Sequence, residues 1–423
     1  MYRKTTLKNG LRIISVPAKE DQAVTVLILV GTGSKYEKKE TSGISHFLEH
    51  MYFKGTKKRP DQIAVAETLD RVGGIYNAFT GEEYTGYFAK VASSHFRLAL
   101  DWVSDIFLNS TLPSKEIEKE KGVIIEEINM YHDNPMSHVE LLWTKLLYGD
   151  QPAGWDIAGN KKTVSAIGRE KLAGYKKSQY TAPNTVVCLS GNINEKKAII
   201  EVKKYFGGVS SKNSRPKAEV KEMQREPGLI LKEKETNQTH IHLGVRSYNI
   251  FHPRKYALDL MAAVLGGMMS SRLFTEIRGK LGLAYYINTA SAYNSDTGYL
   301  TTNAGIDNGK TDLAISTILK EYRKIVQKKV GEKELKKAKD YIKGKTTLYL
   351  ESSDAKASFY GGQELIEKKI MEPADIFRKI DKVTSSEIRS VARDIFQPQK
   401  LNLALIGPFK EKEKNRFRKI LKL

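Results

Sequence analysis

The sequence predicts an α+β protein made of two homologous halves, each an antiparallel sheet packed with helices. Two observations support this fold class. Apolar runs with strand character, such as residues 23–30 and 239–245, stand beside long helix-like segments in both halves of the chain. Several short sequence motifs also occur a second time after about half the length of the chain. This pattern favours hairpin-like strand pairs beside helices over a doubly wound parallel sheet.

The repeat is visible as matching positions in the two halves. A Thr-Gly-Tyr tripeptide, a proline before an apolar run and a glycine at the end of that run each occur twice. The pairs are Gly86 and Gly298, Pro183 and Pro398, and Gly191 and Gly407, at offsets of 212, 215 and 216 residues. We interpret this spacing as a duplication. It predicts a first domain at residues 1–208, an exposed linker at 209–228 and a second domain at 229–423.

The composition is that of a globular protein. Hydrophobic residues make up 40% and charged residues 28% of the 423 residues, which is close to the averages for soluble domains. The amino-terminal segment lacks the apolar stretch of a signal peptide, and no later run approaches the roughly 20 apolar residues of a spanning helix. Cys188 is the single cysteine, which excludes an internal disulfide. We therefore expect a soluble cytoplasmic protein with no membrane partner.

The formal net charge of +21 raises the question of a nucleic-acid partner. The lysines are spread along the chain, and neither a known nucleic-acid module nor a stacking-aromatic motif accompanies them. We interpret the charge as a lysine-rich form of solubility. We do not expect nucleic-acid binding. A basic nucleic-acid-binding protein is nevertheless the alternative to an enzyme.

The motif His46-x-x-Glu49-His50 predicts a metal site on a helix. Four residues advance a helix by about 400°, so the two imidazoles share one face and can reach one zinc ion. Glu49 lies on the adjoining edge of that face, where it can accept a proton from a water. A preceding Thr41 or Ser42 is a candidate helix cap. The alternative is an incidental pair of histidines with a neighbouring glutamate.

A catalytic zinc needs a third protein ligand, and an acidic helix-like segment at residues 114–128 offers candidates. At about 100° per residue its isoleucines form one apolar stripe, Glu120 and Glu127 lie on the flank of this stripe, and Glu126 points away. Glu127 is therefore the predicted ligand. Glu120 is predicted to assist catalysis by orienting a ligand histidine, and its alternative role is a solvated charge.

Together with their flanking segments, these residues resemble the inverted-zincin (HxxEH) peptidases, the family of pitrilysin, insulin-degrading enzyme and mitochondrial processing peptidase. The resemblance extends over essentially the whole chain. It includes the segments at residues 31–34, 51–56, 73–80, 133–135, 271–274 and 277–285. By length the chain is most similar to the bacterial processing-peptidase-like branch, in which one chain of two similar halves pairs with another.

The resemblance implies a clamshell of two halves with different tasks. Residues 1–208 would form the catalytic domain, in which His46, His50 and Glu127 hold one Zn²⁺ per chain and Glu49 is the general base. Residues 229–423 would form a homologous, non-catalytic substrate-binding domain.

The resemblance also implies the residues that bind a peptide. Asn77, Ala78, Phe79 and Thr80 would form an edge strand to which an extended peptide adds through main-chain hydrogen bonds. Arg278 and Tyr285 would hold the substrate near its carbonyl groups. Their ordinary alternatives are a turn residue for Asn77, a helix-end cation for Arg278 and a core residue for Tyr285.

The second half departs from the motif. Residues 254–258 read Arg-Lys-Tyr-Ala-Leu at the corresponding place, so only the first half is expected to be catalytic. His240 and His242 alternate along a probable strand and can face one metal. Because no acidic partner is near them in the sequence, we interpret them as structural.

The predicted function is hydrolysis of peptide bonds in extended oligopeptides or unfolded segments. The basic charge disfavours positively charged presequences as substrates and favours short, neutral or acidic peptides. Besides nucleic-acid binding, a non-catalytic subunit of the same fold stays open as an alternative. The expected partners are a peptide substrate and a second chain, in a homodimer or in a heterodimer with a related chain.

Overall fold

The computed structural model describes residues 2–423, which form two compact units. The first unit consists of the residues up to Ile128 together with Trp155–Ala218 and Thr347–Glu372. The second unit consists of Asn129–Gly154, Glu219–Thr346 and Pro373–Leu423.

Strands and helices mix along the whole chain, as predicted for an α+β protein. In the amino-terminal part they are β1 (Arg3–Thr6), β2 (Arg12–Pro17), β3 (Ala23–Val30), α1 (Ile44–Met51), α2 (Gln62–Asp70), β4 (Ile75–Thr80), β5 (Thr85–Ala92), α3 (Phe96–Asn109), α4 (Ser114–Asp133), α5 (Pro135–Tyr148), α6 (Lys161–Ser165), α7 (Arg169–Gln179), β6 (Thr185–Gly191) and α8 (Glu195–Phe206).

The carboxy-terminal part continues in the same style, with π-helical turns at Ala263–Gly267 and Phe274–Lys280. Its elements are β7 (Gly228–Glu233), β8 (Gln238–Arg246), α9 (Lys255–Ala262), β9 (Ala284–Tyr293), β10 (Gly298–Asp307), α10 (Thr311–Gln327), α11 (Glu332–Tyr349), α12 (Ser353–Ile366), α13 (Pro373–Lys382), α14 (Ser385–Ile395), β11 (Leu401–Gly407) and α15 (Lys414–Ile420).

Each unit contains one sheet in the described residues. The strand order is β1-β2-β6-β3-β5-β4 in the first unit and β7-β11-β8-β10-β9 in the second. Most neighbours are antiparallel, as predicted, but β2 pairs with β6 and β7 pairs with β11 in parallel. The sheets are therefore mixed. Parallel neighbours need a long connection, and most of a unit lies between the two strands of each parallel pair.

The central strand β3 shows why the first sheet needs helices on both faces. Val24, Val26 and Ile28 point into the core that contains the α3 side chain of Trp102. The alternate residues, including Leu27, point into a second core on the opposite face. A strand with two buried faces reads as a continuous apolar run rather than as an alternating one.

The second face of each sheet is covered by a helix from the other half of the sequence. In the first unit α12 packs on β3 and β6, with Tyr360 and Leu365 in the shared core. In the second unit α5 packs on β11 and β8, where Trp143 meets the buried residues Ala404 and Ile406. This exchange of helices is not part of the predicted division at residues 208 and 229.

Residues 209–227 contain neither a helix nor a strand, and β7 begins at Gly228, the last residue of the predicted linker. Most of these residues are exposed or half-buried. Among residues 2–423, none of the helices combines the length and the apolar character needed to cross a bilayer.

A core residue behind the edge strand tests the packing of the first unit. Leu69 on α2 is fully buried, so Leu69→Ala is expected to lower the free energy of unfolding by about 2–5 kcal/mol through lost burial and an unfilled cavity. Urea unfolding followed by circular dichroism measures this change. Leu348→Ala is the matched control because Leu348 is 72% exposed, and its effect is expected within about 0.5 kcal/mol. Equal effects of the two substitutions would contradict the assigned core.

Candidate metal centre

Helix α1 carries the motif and is oriented by its apolar face. Ile44, Phe47, Leu48 and Met51 are all buried in the first unit's core. Their spacing of three or four residues places them on one side of the helix. His46, Glu49 and His50 therefore lie on the remaining edge.

The start of α1 differs from the expectation. The N-cap is Gly43, not Thr41 or Ser42, and its φ of 94° lies in the left-handed region. A Cβ atom at this position would lie 2.6 Å from the carbonyl oxygen of Ala158. Glycine is thus required for both conformation and space.

The structure brings His46 and His50 together with Glu127 of α4. The Nε2 atoms of the two histidines lie 3.2 Å apart. The Glu127 Oε2 atom lies 3.6 Å from Nε2 of His46 and 3.4 Å from Nε2 of His50. All three side chains are partly buried, with exposed fractions of 12% for His46, 20% for His50 and 24% for Glu127. Among residues 2–423, these three are the histidine, cysteine or acidic side chains whose ligand atoms lie close enough together to hold a metal ion.

The arrangement fits zinc. Ligands at about 2.0–2.2 Å around a tetrahedral zinc ion are separated by about 3.3–3.6 Å, and the three distances fall close to this range. Two imidazoles and one carboxylate are also a donor set of catalytic zinc sites, which keep a fourth position open for water or substrate. Glu126 is exposed and lies outside this group.

Glu120 contacts the centre through His50. Its Oε1 atom lies 2.9 Å from the His50 Nδ1 atom, and its other oxygen lies 2.7 Å from the Lys54 ammonium group. Burial acts to raise the pKa of Glu120, but the hydrogen bonds from His50 and Lys54 outweigh it and lower the pKa. A carboxylate that accepts the Nδ1 proton leaves Nε2 of His50 free to bind a metal. Lys54 was missed by the sequence reasoning, because its partner is 66 residues away.

Glu49 is held by the edge strand. The Thr80 hydroxyl group donates a hydrogen bond of 2.5 Å to the Glu49 Oε2 atom. Burial raises the pKa of Glu49, while this hydrogen bond and the charge of His50 act to lower it. A carboxylate with a raised pKa is better suited to accept a proton near neutral pH. The sequence predicted Thr80 only as a residue of the edge strand, and its contact with Glu49 is visible only in the structure.

Strand β4 is an edge strand, as expected for Asn77, Ala78, Phe79 and Thr80. Within the described sheet it is paired with β5, and its other side has no partner strand. A cavity of about 220 Å³ lies next to it. The cavity is lined by Phe53, Gln62, Val65, Ala66, Tyr76 and Asn77. An open edge beside a cavity offers both main-chain hydrogen bonds and room for a side chain.

Arg278 and Tyr285 lie in the second unit and contact each other. The Arg278 guanidinium group lies over the rings of Phe274, at 4.9 Å, and Tyr285, at 5.7 Å. Tyr285 is 73% exposed at the start of β9. It is therefore not a core residue of this structure.

The two strand histidines of the second unit have other surroundings. His240 Nδ1 lies 2.9 Å from the Tyr286 hydroxyl group. His242 is buried against the ring of Trp143, and this burial lowers its pKa to about 3. Neither belongs to a metal-binding group of the described residues.

The fold and the site together define a class of protein: two α+β units of which the first carries an HxxEH helix and a distant glutamate that fit one zinc ion. Comparison with protein families agrees with this class. Residues 12–161 match the profile described as Insulinase (Peptidase family M16), and residues 166–342 match the Peptidase M16 inactive domain. The chain belongs to peptidase family M16.

Similar proteins cover nearly the full chain. The uncharacterized zinc protease YmxG of Bacillus subtilis is 36% identical over 96% of this chain and 98% of its own length. The uncharacterized zinc protease ML0855 of Mycobacterium leprae is 32% identical over 97% and 92%. A protease from Helicobacter pylori has the same fold, with a TM-score of 0.91, 24% identity and coverage of 96% and 99%. Both of these relatives are named as zinc proteases.

Proposed function

We propose that this chain is a zinc endopeptidase that hydrolyses extended oligopeptides or unfolded segments. The observation that carries the proposal is the convergence of His46, His50 and Glu127 next to the half-buried carboxylate of Glu49. Two histidines that share a helix face by chance would not need a third ligand or a general base beside them. Their presence in one place gives the complete donor set of a hydrolytic zinc site.

The three ligands would hold one Zn²⁺ per chain. When bound, zinc would acidify a water molecule and polarise the carbonyl group of the scissile bond. Glu49 keeps one oxygen on the Thr80 hydroxyl group, which leaves its Oε1 atom to take a proton from the attacking water. The same carboxyl group would then give the proton to the leaving amine. Glu120 would assist by holding His50 in the tautomer that presents Nε2.

The peptide would bind in an extended conformation along β4. The free side of this strand offers backbone donors and acceptors that recognise a peptide irrespective of its sequence. The adjoining cavity offers room for one substrate side chain. We also propose Arg278 and Tyr285 as substrate-contacting residues, on the family resemblance and on their mutual contact.

A non-catalytic subunit of the same fold is the second candidate function. The match to the inactive-domain profile covers residues 166–342, and it favours a non-catalytic role for that part of the chain. That match begins at residue 166, beyond the residues that form the metal centre. Pairing with an identical or a related chain, and a cytoplasmic location, stay predictions.

The choice of Glu127 as the third ligand is tested with its neighbour. Glu127→Ala is expected to lower zinc affinity more than about 100-fold, because the loss of outer-shell partners alone costs roughly 10–100-fold. Glu126→Ala is the matched control and is expected to keep the metal. Titration with a competing chelator, followed by metal analysis, measures both affinities. Zinc retained by Glu127→Ala but lost by Glu126→Ala would reverse the assignment.

The role of Glu49 is tested by an isosteric change. Glu49→Gln is expected to keep zinc while kcat/KM on a mixed peptide library falls by roughly 10²–10⁴-fold, because an amide cannot accept the proton. The same exchange at the exposed Glu118 on α4 is expected to leave activity unchanged. Wild-type turnover by Glu49→Gln would refute the assignment of the base.

The proposed substrate contact of the second unit is tested at Arg278. Arg278→Ala is expected to lower kcat/KM by about tenfold or more through the loss of charged hydrogen bonds to the peptide. Zinc content should stay equal to wild type. Lys280→Ala removes a nearby exposed cation that pairs with Glu276 and serves as the control. Equal kinetics of both variants and wild type would exclude Arg278 from substrate binding.

A further inference from the structure

The start of the metal-binding helix is held by an acidic side chain from outside the helix. The Glu37 carboxyl group accepts hydrogen bonds from the backbone amides of Gly43, at 2.7 Å, and Ser45, at 2.8 Å. Each of its two oxygens takes one of these bonds. Since the N-cap is a glycine, no cap side chain serves these amides. Ser45 directly precedes the ligand His46.

Glu37 is buried in a place that does not favour a charge. Its residue exposure is 5%. Burial raises the pKa of Glu37 to about 8, the bonds from Ser45 and Gly43 act to lower it, and the charge of Asp156 adds to the increase. The amides at a helix start carry partial positive charge, which offsets part of the burial cost. The two hydrogen bonds to Gly43 and Ser45 couple this acid directly to the position of α1.

A second buried contact fixes the same residue from its side chain. The Ser45 hydroxyl group lies 2.7 Å from the Tyr175 hydroxyl group, which in turn lies 2.7 Å from the Thr32 hydroxyl group. Tyr175 belongs to α7, and Thr32 follows β3. The backbone and the side chain of Ser45 are thus attached directly to two other segments, those of Glu37 and Tyr175, and through Tyr175 to Thr32.

The two ligand histidines differ in how they are oriented. His50 is oriented through Nδ1 by Glu120. The Nδ1 atom of His46 is buried and has no hydrogen-bond partner among residues 2–423. Metal-binding histidines usually obtain their orientation from such an outer partner. For His46, the orientation must come from the backbone of α1 and from packing.

We propose that Glu37, supported by Tyr175, is a positioning residue for the metal centre. By fixing the amides of Gly43 and Ser45, it sets the placement of the His46 imidazole relative to His50 and Glu127. A ligand constellation tolerates displacements of only about 0.5 Å, and at this end of α1 the two Glu37 bonds act together with the buried side chain of Ile44. The inference rests on the proposed zinc function, and it adds a residue that contacts neither metal nor substrate.

The test is Glu37→Gln, which keeps the shape but changes the hydrogen bonding. The amide oxygen can accept one backbone N–H, whereas the amide NH₂ group faces the second N–H without an acceptor. Zinc affinity is expected to fall by about tenfold. The visible absorption spectrum of the Co²⁺-substituted protein should change, because it reports ligand geometry, and kcat should fall more than KM changes. Glu40→Gln is the matched control, because Glu40 is exposed in the same segment.

Tyr175→Phe provides a second variant if Glu37→Gln does not fold. It removes the hydroxyl partner of Ser45, and it is expected to change the Co²⁺ spectrum in the same direction while zinc affinity falls several-fold. Folding of each variant is checked by thermal unfolding of the metal-free protein. Zinc affinity and Co²⁺ spectra equal to wild type in the folded variants would overturn the inference and leave the proposed function intact. A wild-type protein that binds no zinc would overturn both.

Discussion

The metal centre depends on the contact between two helices that are distant in sequence. Helix α1 supplies two imidazoles and α4 supplies Glu127 and Glu120. Both helices bury an apolar stripe in the same core of the first unit. The hydrophobic packing of Phe47 and Leu48 against this core, together with Ile124 and Ile128 of α4, determines where the polar edges meet. The polar groups of the site are therefore positioned by apolar groups that take no part in its chemistry.

The buried carboxyl groups near the centre all have local hydrogen-bond partners. Glu120 is bonded to His50 and Lys54, and Glu49 is bonded to Thr80. Glu37 is bonded to two backbone amides. A buried carboxylate without such partners would become protonated or would destabilise the fold.

The two units share an α+β architecture, whereas the candidate metal centre lies in the first unit. In the second unit, α9 begins at the place where the motif would stand, and its Ala257 and Leu258 are buried. The core-facing side of the helix is thus retained without metal ligands. Each sheet is completed by a helix from the other sequence half, α12 or α5. Such an exchange makes the folding of each unit dependent on both halves of the chain.

Local sequence determined the α+β class and the placement of His46 and His50 on one face of α1, because both depend on periodicities of about two and 3.6 residues. The repeat was visible in short motifs that recur after about half the chain. The choice of Glu127 over Glu126 also followed from helical angle alone, and both the edge position of Asn77–Thr80 and the family were recognisable from motifs. Only the tertiary structure decided the parallel pairs β2–β6 and β7–β11, the exchange of α5 and α12, and the roles of Lys54, Thr80 and Glu37 around the site. Except for Glu37, which bonds backbone amides six and eight residues further along the chain, those features join segments tens to hundreds of residues apart. Their separation in the chain carries no periodic signal, and they exist only once the core has brought the segments into contact.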